Sequence, residues 1–131
     1  MNDIGKNIWV FPDAFLPIKG NPYKTTSSGD QYSHESLCIV NSNDSNSELK
    51  IIFLFEDREP INDYKITINS LRSLHLRLDN IIFEDGSKLP REVPYSIILK
   101  SKLKVVAQLS RLDTTSNNNA FMTSLGWGSD V

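Results

Sequence analysis

The sequence predicts an all-β protein: a single-domain antiparallel β-sandwich, jelly-roll-like, with about eight short strands. Turn-forming clusters of Gly, Pro, Asn, Asp and Ser recur at short intervals. The segments between them are apolar, and several alternate apolar with polar. No segment keeps a 3.6-residue hydrophobic period over ten positions. The chain has 131 residues, suited to one domain spanning 1–131 that buries roughly two thirds of its unfolded surface.

The first strand expected is NIWVF (7–11). KGNPYKTTSSGDQ (19–31) reads as a long polar loop. ESLCIVN (35–41) and ELKIIFLFE (48–56), joined by SNDSNS (42–47), read as a hairpin with a polar loop. DREPIN (57–62) turns the chain into DYKITI (63–68), where Tyr64, Ile66 and Ile68 oppose Lys65 and Thr67. NSLRS (69–73) leads to LHLRL (74–78), with Leu74, Leu76 and Leu78 on one face and His75, Arg77 and Asp79 on the other. EDGSKLPREVP (84–94) is a loop whose tight turn falls at Asp85-Gly86. YSIILK (95–100) and KVVAQLSRLD (104–113) are two further strands, and NNNAFMTSLGW (117–127) holds a short one. The LCIV and IIFLF segments are apolar on both faces, although an antiparallel sheet needs only one buried face. Their second faces predict a homo-oligomer.

Composition narrows the function. A net charge of −2 gives no general attraction to nucleic acid, which is not expected as a partner. The basic cluster LKSKLK, with Lys100, Lys102 and Lys104, reads as a solvated loop or a strand edge kept soluble by lysine. The single cysteine, Cys38, excludes an internal disulfide and suits a reducing cytoplasm, the expected location. It lies in an apolar run, where a thiol acts as a small hydrophobe rather than a nucleophile. No signal-peptide pattern appears at the N-terminus, and the longest apolar run, IIFLF, is far too short to cross a bilayer.

Ser33, His34 and Glu35 stand side by side, the parts of a hydrolytic triad. In an extended strand Ser33 and Glu35 point to one side and His34 to the other, so the serine cannot reach its base. No GxSxG elbow occurs elsewhere. The two histidines, His34 and His75, form no metal-binding pair, and no glycine-rich phosphate loop is present. No enzyme activity, catalytic residue, metal or cofactor is therefore expected. Other polar groups sit at strand ends: Asp57, Arg58 and Glu59 after IIFLF, Arg72, His75 and Arg77 around LHLRL, and Gln108, Arg111 and Asp113 in the last long strand. Such a set forms either separate ion pairs and loop anchors or one polar pocket at a rim, where Arg58, Arg72 and Arg111 grip oxygens while Glu35, Asp57 and Gln108 orient a ligand.

The ordered pieces IGKNIW (4–9), SHESLCIVN (33–41), FEDREP (55–60), LRSLHLR (71–77) and QLSRLD (108–113) resemble the sensory rhodopsin transducer family over about residues 4–125. The resemblance implies a compact β-sandwich assembled as a homotetramer. It also implies a signalling or binding module for a small polar ligand, sugar-like or anionic, or a soluble partner relaying the state of a membrane receptor. The matched positions, carried over as ligand-binding candidates, are Trp9, Ser33, His34, Glu35, Asp57, Arg58, Arg72, His75, Gln108, Arg111 and Asp113. Arg77 also matches, with a surface role as an equal alternative. The stretch from Glu84 to Val93 and the tail after Leu125 match poorly.

Overall fold

A computed structural model describes residues 3–25 and 29–131. Their strands are β1 (Lys6–Phe15), β2 (Tyr23–Thr25), β3 (Gly29–Gln31), β4 (His34–Asn41), β5 (Ser47–Phe55), β6 (Ile61–Ile68), β7 (Arg72–Arg77), β8 (Pro94–Asp113), β9 (Ala120–Leu125) and β10 (Trp127–Ser129). A 3-10 turn covers Leu78–Asn80. The expected antiparallel sandwich is the fold, with every strand pair antiparallel. The layers are β10-β1-β8-β5-β6 and β9-β8-β4-β7. Strand β8 belongs to both: Tyr95–Ser101 lies between β1 and β5, and Val106–Leu112 pairs with β4, joined by β9 from Gln108 to Asp113.

That strand corrects two expectations. YSIILK and KVVAQLSRLD are not separate strands, and the lysine cluster between them is neither a loop nor a strand edge. The chain runs extended for 20 residues through it. Alternation continues across the passage, with Ser101 and Val105 buried while Lys102 is exposed. Among the described residues, 102–104 have no ladder partner, so their polar groups need other ones. Asn7 Nδ2 donates to the carbonyls of Ser101 and Lys102, both at 3.2 Å. Asn43 Nδ2 donates to Lys104 O at 2.8 Å, and Trp9 Nε1 to Val105 O at 2.9 Å. Ser47 Oγ accepts from Leu103 N at 3.2 Å and bonds Ser101 Oγ at 2.8 Å.

The expected hairpin of ESLCIVN and ELKIIFLFE is also overturned. Strand β4 pairs β7 and β8, whereas β5 pairs β6 and β8, so residues 42–46 arch from one layer to the other. Asn41, fully buried, pins the arch. Its Nδ2 donates to Ser45 O (2.9 Å), Ile68 O (3.0 Å) and Asn69 O (3.2 Å), and its Oδ1 accepts from Asn43 N (3.0 Å) and Nδ2 (2.8 Å). An asparagine-rich link looks the same in sequence whether it turns back on itself or crosses between sheets.

Smaller differences follow from local chemistry. Strand β1 continues past Pro12 because the register shifts between Phe11 and Ala14, a bulge that accommodates the missing N–H. The 19–31 stretch carries the β2–β3 ribbon, with Tyr23 opposite Gln31; residues 26–28 of that expected loop lie outside the described residues. The 117–127 segment supplies β9 and the start of β10. The Asp85-Gly86 turn is present: Gly86 has φ +86° and donates to Phe83 O at 2.8 Å.

The core fills the space between the layers. Phe11, Ile51, Phe53, Ile97 and Leu99 face Leu37, Ile39, Ala107 and Leu109. Leu78, Ile81 and Leu89 from the long β7–β8 connection close one end. Each fully buried Leu, Ile or Phe contributes about 1.5–3 kcal/mol. Replacing Asn41 with Ala removes the arch's shared partner and leaves buried carbonyls unpaired at about 1–3 kcal/mol each. Urea unfolding of Asn41→Ala is expected to lose at least about 2 kcal/mol; an unchanged midpoint would show that the arch does not need the amide.

Candidate functional site

The Ser33-His34-Glu35 segment divides as strand geometry requires. Ser33 and Glu35 are fully buried, and His34 faces outward on β4. Ser33 Oγ accepts from Thr114 N at 2.9 Å and lies 3.2 Å from Thr114 Oγ1, while its carbonyl accepts from Arg91 Nη1 at 3.1 Å. Ser33 thus holds the start of β4 against the end of β8.

Glu35 centres a buried polar network. Its Oε1 accepts the Tyr95 hydroxyl. Its Oε2 accepts Phe15 N at 3.0 Å and Arg111 Nε at 3.2 Å. The Pro12 bulge brings Asp13 and Phe15 to this place. Arg111, 13% exposed, also donates to Met122 Sδ (3.1 Å) and the Asp13 carbonyl (3.4 Å), and its Nη2 is 3.6 Å from Asp13 Oδ1. Burial pushes Glu35 above its ordinary value of 4.5, partly offset by Tyr95, the Phe15 amide and Arg111. Burial, and then the Glu35 charge, push the Tyr95 phenol up, so it stays protonated. Every polar arm of Arg111 is occupied inside the protein, which makes this network a brace rather than an open cleft.

A second set converges on the outer face of β7-β4-β8-β9. Cross-strand partners there form rows: His75–Cys38–Gln108–Leu125, Arg77–Ser36–Ser110–Thr123 and His34–Leu112–Phe121. Between them lies a groove of about 440 Å³ lined by His34, Ser36, Cys38, His75, Gln108, Ser110, Leu112, Phe121 and Thr123. His34 Nδ1 lies 2.7 Å from the Tyr32 carbonyl, which can only accept, so Nδ1 carries a proton. Burial pushes the Cys38 thiol up, away from the thiolate a nucleophile needs. The Phe121 ring is 67% exposed. Hydroxyls, an amide, two imidazoles and an apolar ring thus share a surface whose lining, among the described residues, holds no carboxylate, lysine or arginine.

The remaining candidates lie apart from this groove, except Arg77, which stands beside it in the Ser36 row. Trp9 packs against the core and caps Val105. Asp57 and Arg58 are exposed and pair with each other at 3.0 Å. Arg72 donates to the carbonyls of Leu71 (3.1 Å) and Ser70 (3.4 Å). Asp113 accepts from Thr115 N at 2.8 Å in a local turn. Arg77 grips Asp79 through two bonds of 2.8 and 2.7 Å. Of the eleven residues, His34, His75 and Gln108 line the groove and Glu35 and Arg111 join in the brace; a single rim pocket does not form. Tyr95, Ser36, Ser110, Thr123 and Phe121 were not anticipated, although Gln108, Ser110 and Leu112 alternate with buried Ala107 and Leu109 in plain view. Among the described residues no group of three or more His, Cys, Asp or Glu is placed to hold a metal ion, and no helix is long and apolar enough to cross a membrane.

Two measurements test the brace. Arg111→Ala strands the Glu35 carboxylate and is expected to lose about 3 kcal/mol at neutral pH, less in acid as Glu35 protonates; an exposed-residue effect under about 0.5 kcal/mol would contradict the brace. With its folded value above 4.5, Glu35 binds a proton more readily in the folded state. Relative to Glu35→Gln, the wild type is therefore most favoured near and below pH 4.5 and loses that advantage as pH rises through the folded value. Urea midpoints across pH check this; an advantage that grows with pH would reverse the assignment.

Comparison with known proteins identifies the family. The Anabaena sensory rhodopsin transducer family model matches residues 4–128. The crystal structure of Thermotoga maritima 1070 is similar, at 40% identity, covering 96% of this chain and 97% of that one with a TM-score of 0.80. The Anabaena sensory rhodopsin transducer is 25% identical over 82% of this chain and 89% of its own, with a TM-score of 0.68. No curated protein matches. A family match spanning nearly the whole sandwich, including β4, β8 and the groove between β7 and β9, settles the assignment: the chain belongs to the Anabaena sensory rhodopsin transducer family.

Proposed function

We propose that this transducer-family module is a non-enzymatic binding protein whose groove on the β7-β4-β8-β9 face takes a small neutral, polyhydroxylated ligand of sugar type. The observation that supports this reading is the convergence of His34, His75 and Gln108 with Ser36, Ser110 and Thr123 beside the exposed Phe121 ring. Sugars offer hydroxyls that both donate and accept, and an apolar face that packs on an aromatic ring. A lining without carboxylate, lysine or arginine favours a neutral ligand over an anion. Gln108, Ser110 and Leu112 alternate along β8 with Leu109 and Arg111, so a ligand would press on the strand that carries both the Glu35 brace and the second layer.

Self-association belongs to the same reading. On the outer face of the first layer Trp127, Val10, Ile98 and Ile52 form one apolar row, with Leu54 in the next. Trp127 is 63% exposed, and the row offers a contact surface for the homotetramer, working in the cytoplasm. Light scattering is expected to give a solution mass four times 14.8 kDa; a mass of 14.8 kDa would end the tetramer reading.

A second reading has support of its own. Phe121 and Leu125, 67% and 85% exposed, project from the groove face, and the Anabaena relative is named a sensory rhodopsin transducer. The face then meets a membrane receptor or signalling protein, with no small-molecule ligand. Thermal unfolding with a panel of neutral sugars separates the two. Binding at about 100 times Kd stabilises by about 2.7 kcal/mol and raises Tm in a concentration-dependent way. Gln108→Ala and His75→Ala should abolish that rise without changing the unliganded Tm appreciably. A panel with no shift, or shifts unaltered by both substitutions, favours the protein-contact reading.

A further inference from the structure

We propose that the outer face of the other layer holds a separate site for a small molecule bearing two or more phosphate groups, built on Lys100, Lys50 and Lys65. These lysines come from three adjacent strands and stand directly opposite one another in the ladder, Lys100 with Lys50 and Lys50 with Lys65. Lys102 joins them along the same groove, which encloses about 700 Å³. That volume falls in the range of small-molecule sites. In a chain of net charge −2, such a concentration is not a by-product of basic composition.

Like charges directly opposite in a sheet destabilise it. Nearby acids answer only part of the repulsion. Asp63 meets Lys50 at 2.8 Å and Glu48 meets Lys102 at 2.7 Å. Among the described residues Lys65 and Lys100 have no ion pair within 4.0 Å. Asp130, the acid on the neighbouring strand end, is engaged by Lys6 at 3.4 Å and Lys104 at 3.9 Å. The Lys65 charge acts on these same two acids, so four lysines share Glu48 and Asp63 and the concave surface stays net positive.

The spacing selects the ligand. Three adjacent strands extend over about 10 Å, two strand separations of about 4.8 Å. That is too long for one phosphate and fits a run of two or three. Lysine serves phosphate as a mobile point charge without demanding bidentate geometry. Ile8, opposite Lys100 on the far side of the row, gives an apolar contact for whatever the phosphates are attached to. A nucleic-acid surface would call for a broader basic field than one groove on an acidic chain provides.

The site lies on a different layer from the His34–His75–Gln108 groove and does not depend on what binds there. Calorimetric titration of the full chain with sodium tripolyphosphate, at constant ionic strength set by sodium chloride, is expected to give saturable binding with one site per chain. Lys65→Gln with Lys100→Gln should weaken it at least about tenfold, while Lys104→Gln, outside the groove, should leave it unchanged. Without ligand, the double variant should unfold at a higher temperature than wild type in low salt. That gain should shrink at about 1 M salt, where screening acts within about 3 Å. Heat that does not saturate, equal binding by the double variant, or equal loss in Lys104→Gln would overturn the site. A single-stranded oligonucleotide that displaces tripolyphosphate at lower phosphate concentration would overturn the small-molecule assignment.

Discussion

The structure depends on one strand being allowed to leave one sheet and enter the other without breaking. β8 is central in both layers, and at the passage residues 102–104 have no ladder partners among the described residues. Buried or half-buried backbone polar groups need partners, and each missing one costs about 1–3 kcal/mol. Asn7, Ser47 and Asn43 take up Lys102 O, Leu103 N and Lys104 O from three other places in the chain, and Trp9 adds a bond to Val105 O. Two of these residues therefore had a plain structural signature that looks functional: Trp9 resembles a ligand platform and Asn43 a loop residue, yet both strap β8. A continuous strand braced in this way makes the two layers one mechanical body.

The brace at Glu35 is the second consequence. It joins β1 through the Phe15 amide, β8 through Tyr95 and Arg111, and β9 through Met122. Tyr95 and Arg111 sit near opposite ends of β8, so a single carboxylate closes a loop of contacts around the strand. A buried ion pair is not strong evidence of stability, since desolvation opposes the attraction. Its value here is positional: it fixes how the two halves of β8 sit against β1 and β4, and with them the surface that carries the groove.

The sequence made the layers visible and hid the connections. Alternation in DYKITI and LHLRL marked which side chains face water, because period two is a local property of the backbone. It also separated His34 from Ser33 and Glu35, which disposes of the triad without any structure. What alternation cannot carry is partnership. Nothing in SNDSNS distinguishes a hairpin from an arch, because Asn41's decisive acceptors at Ile68 and Asn69 lie far along the chain. Likewise LKSKLK looked like a loop because its polar residues are those a loop would use, although Ser101 and Val105 keep the inward phase. The candidate site was half legible. His34, His75 and Gln108 do meet, whereas Arg58 and Arg72 have found local partners that their sequence neighbours could have supplied all along.

If β8 is one load path through both sheets, its two halves must open together. Native-state hydrogen exchange on the amides of Ile97 and Leu99 in one layer and Ala107 and Leu109 in the other measures this directly. The account predicts one opening free energy for all four, equal to the global unfolding free energy from urea. Exchange of the 107–109 amides at a distinctly lower free energy than 97–99, or the reverse, would mean that the layers unfold separately and that β8 does not unite them.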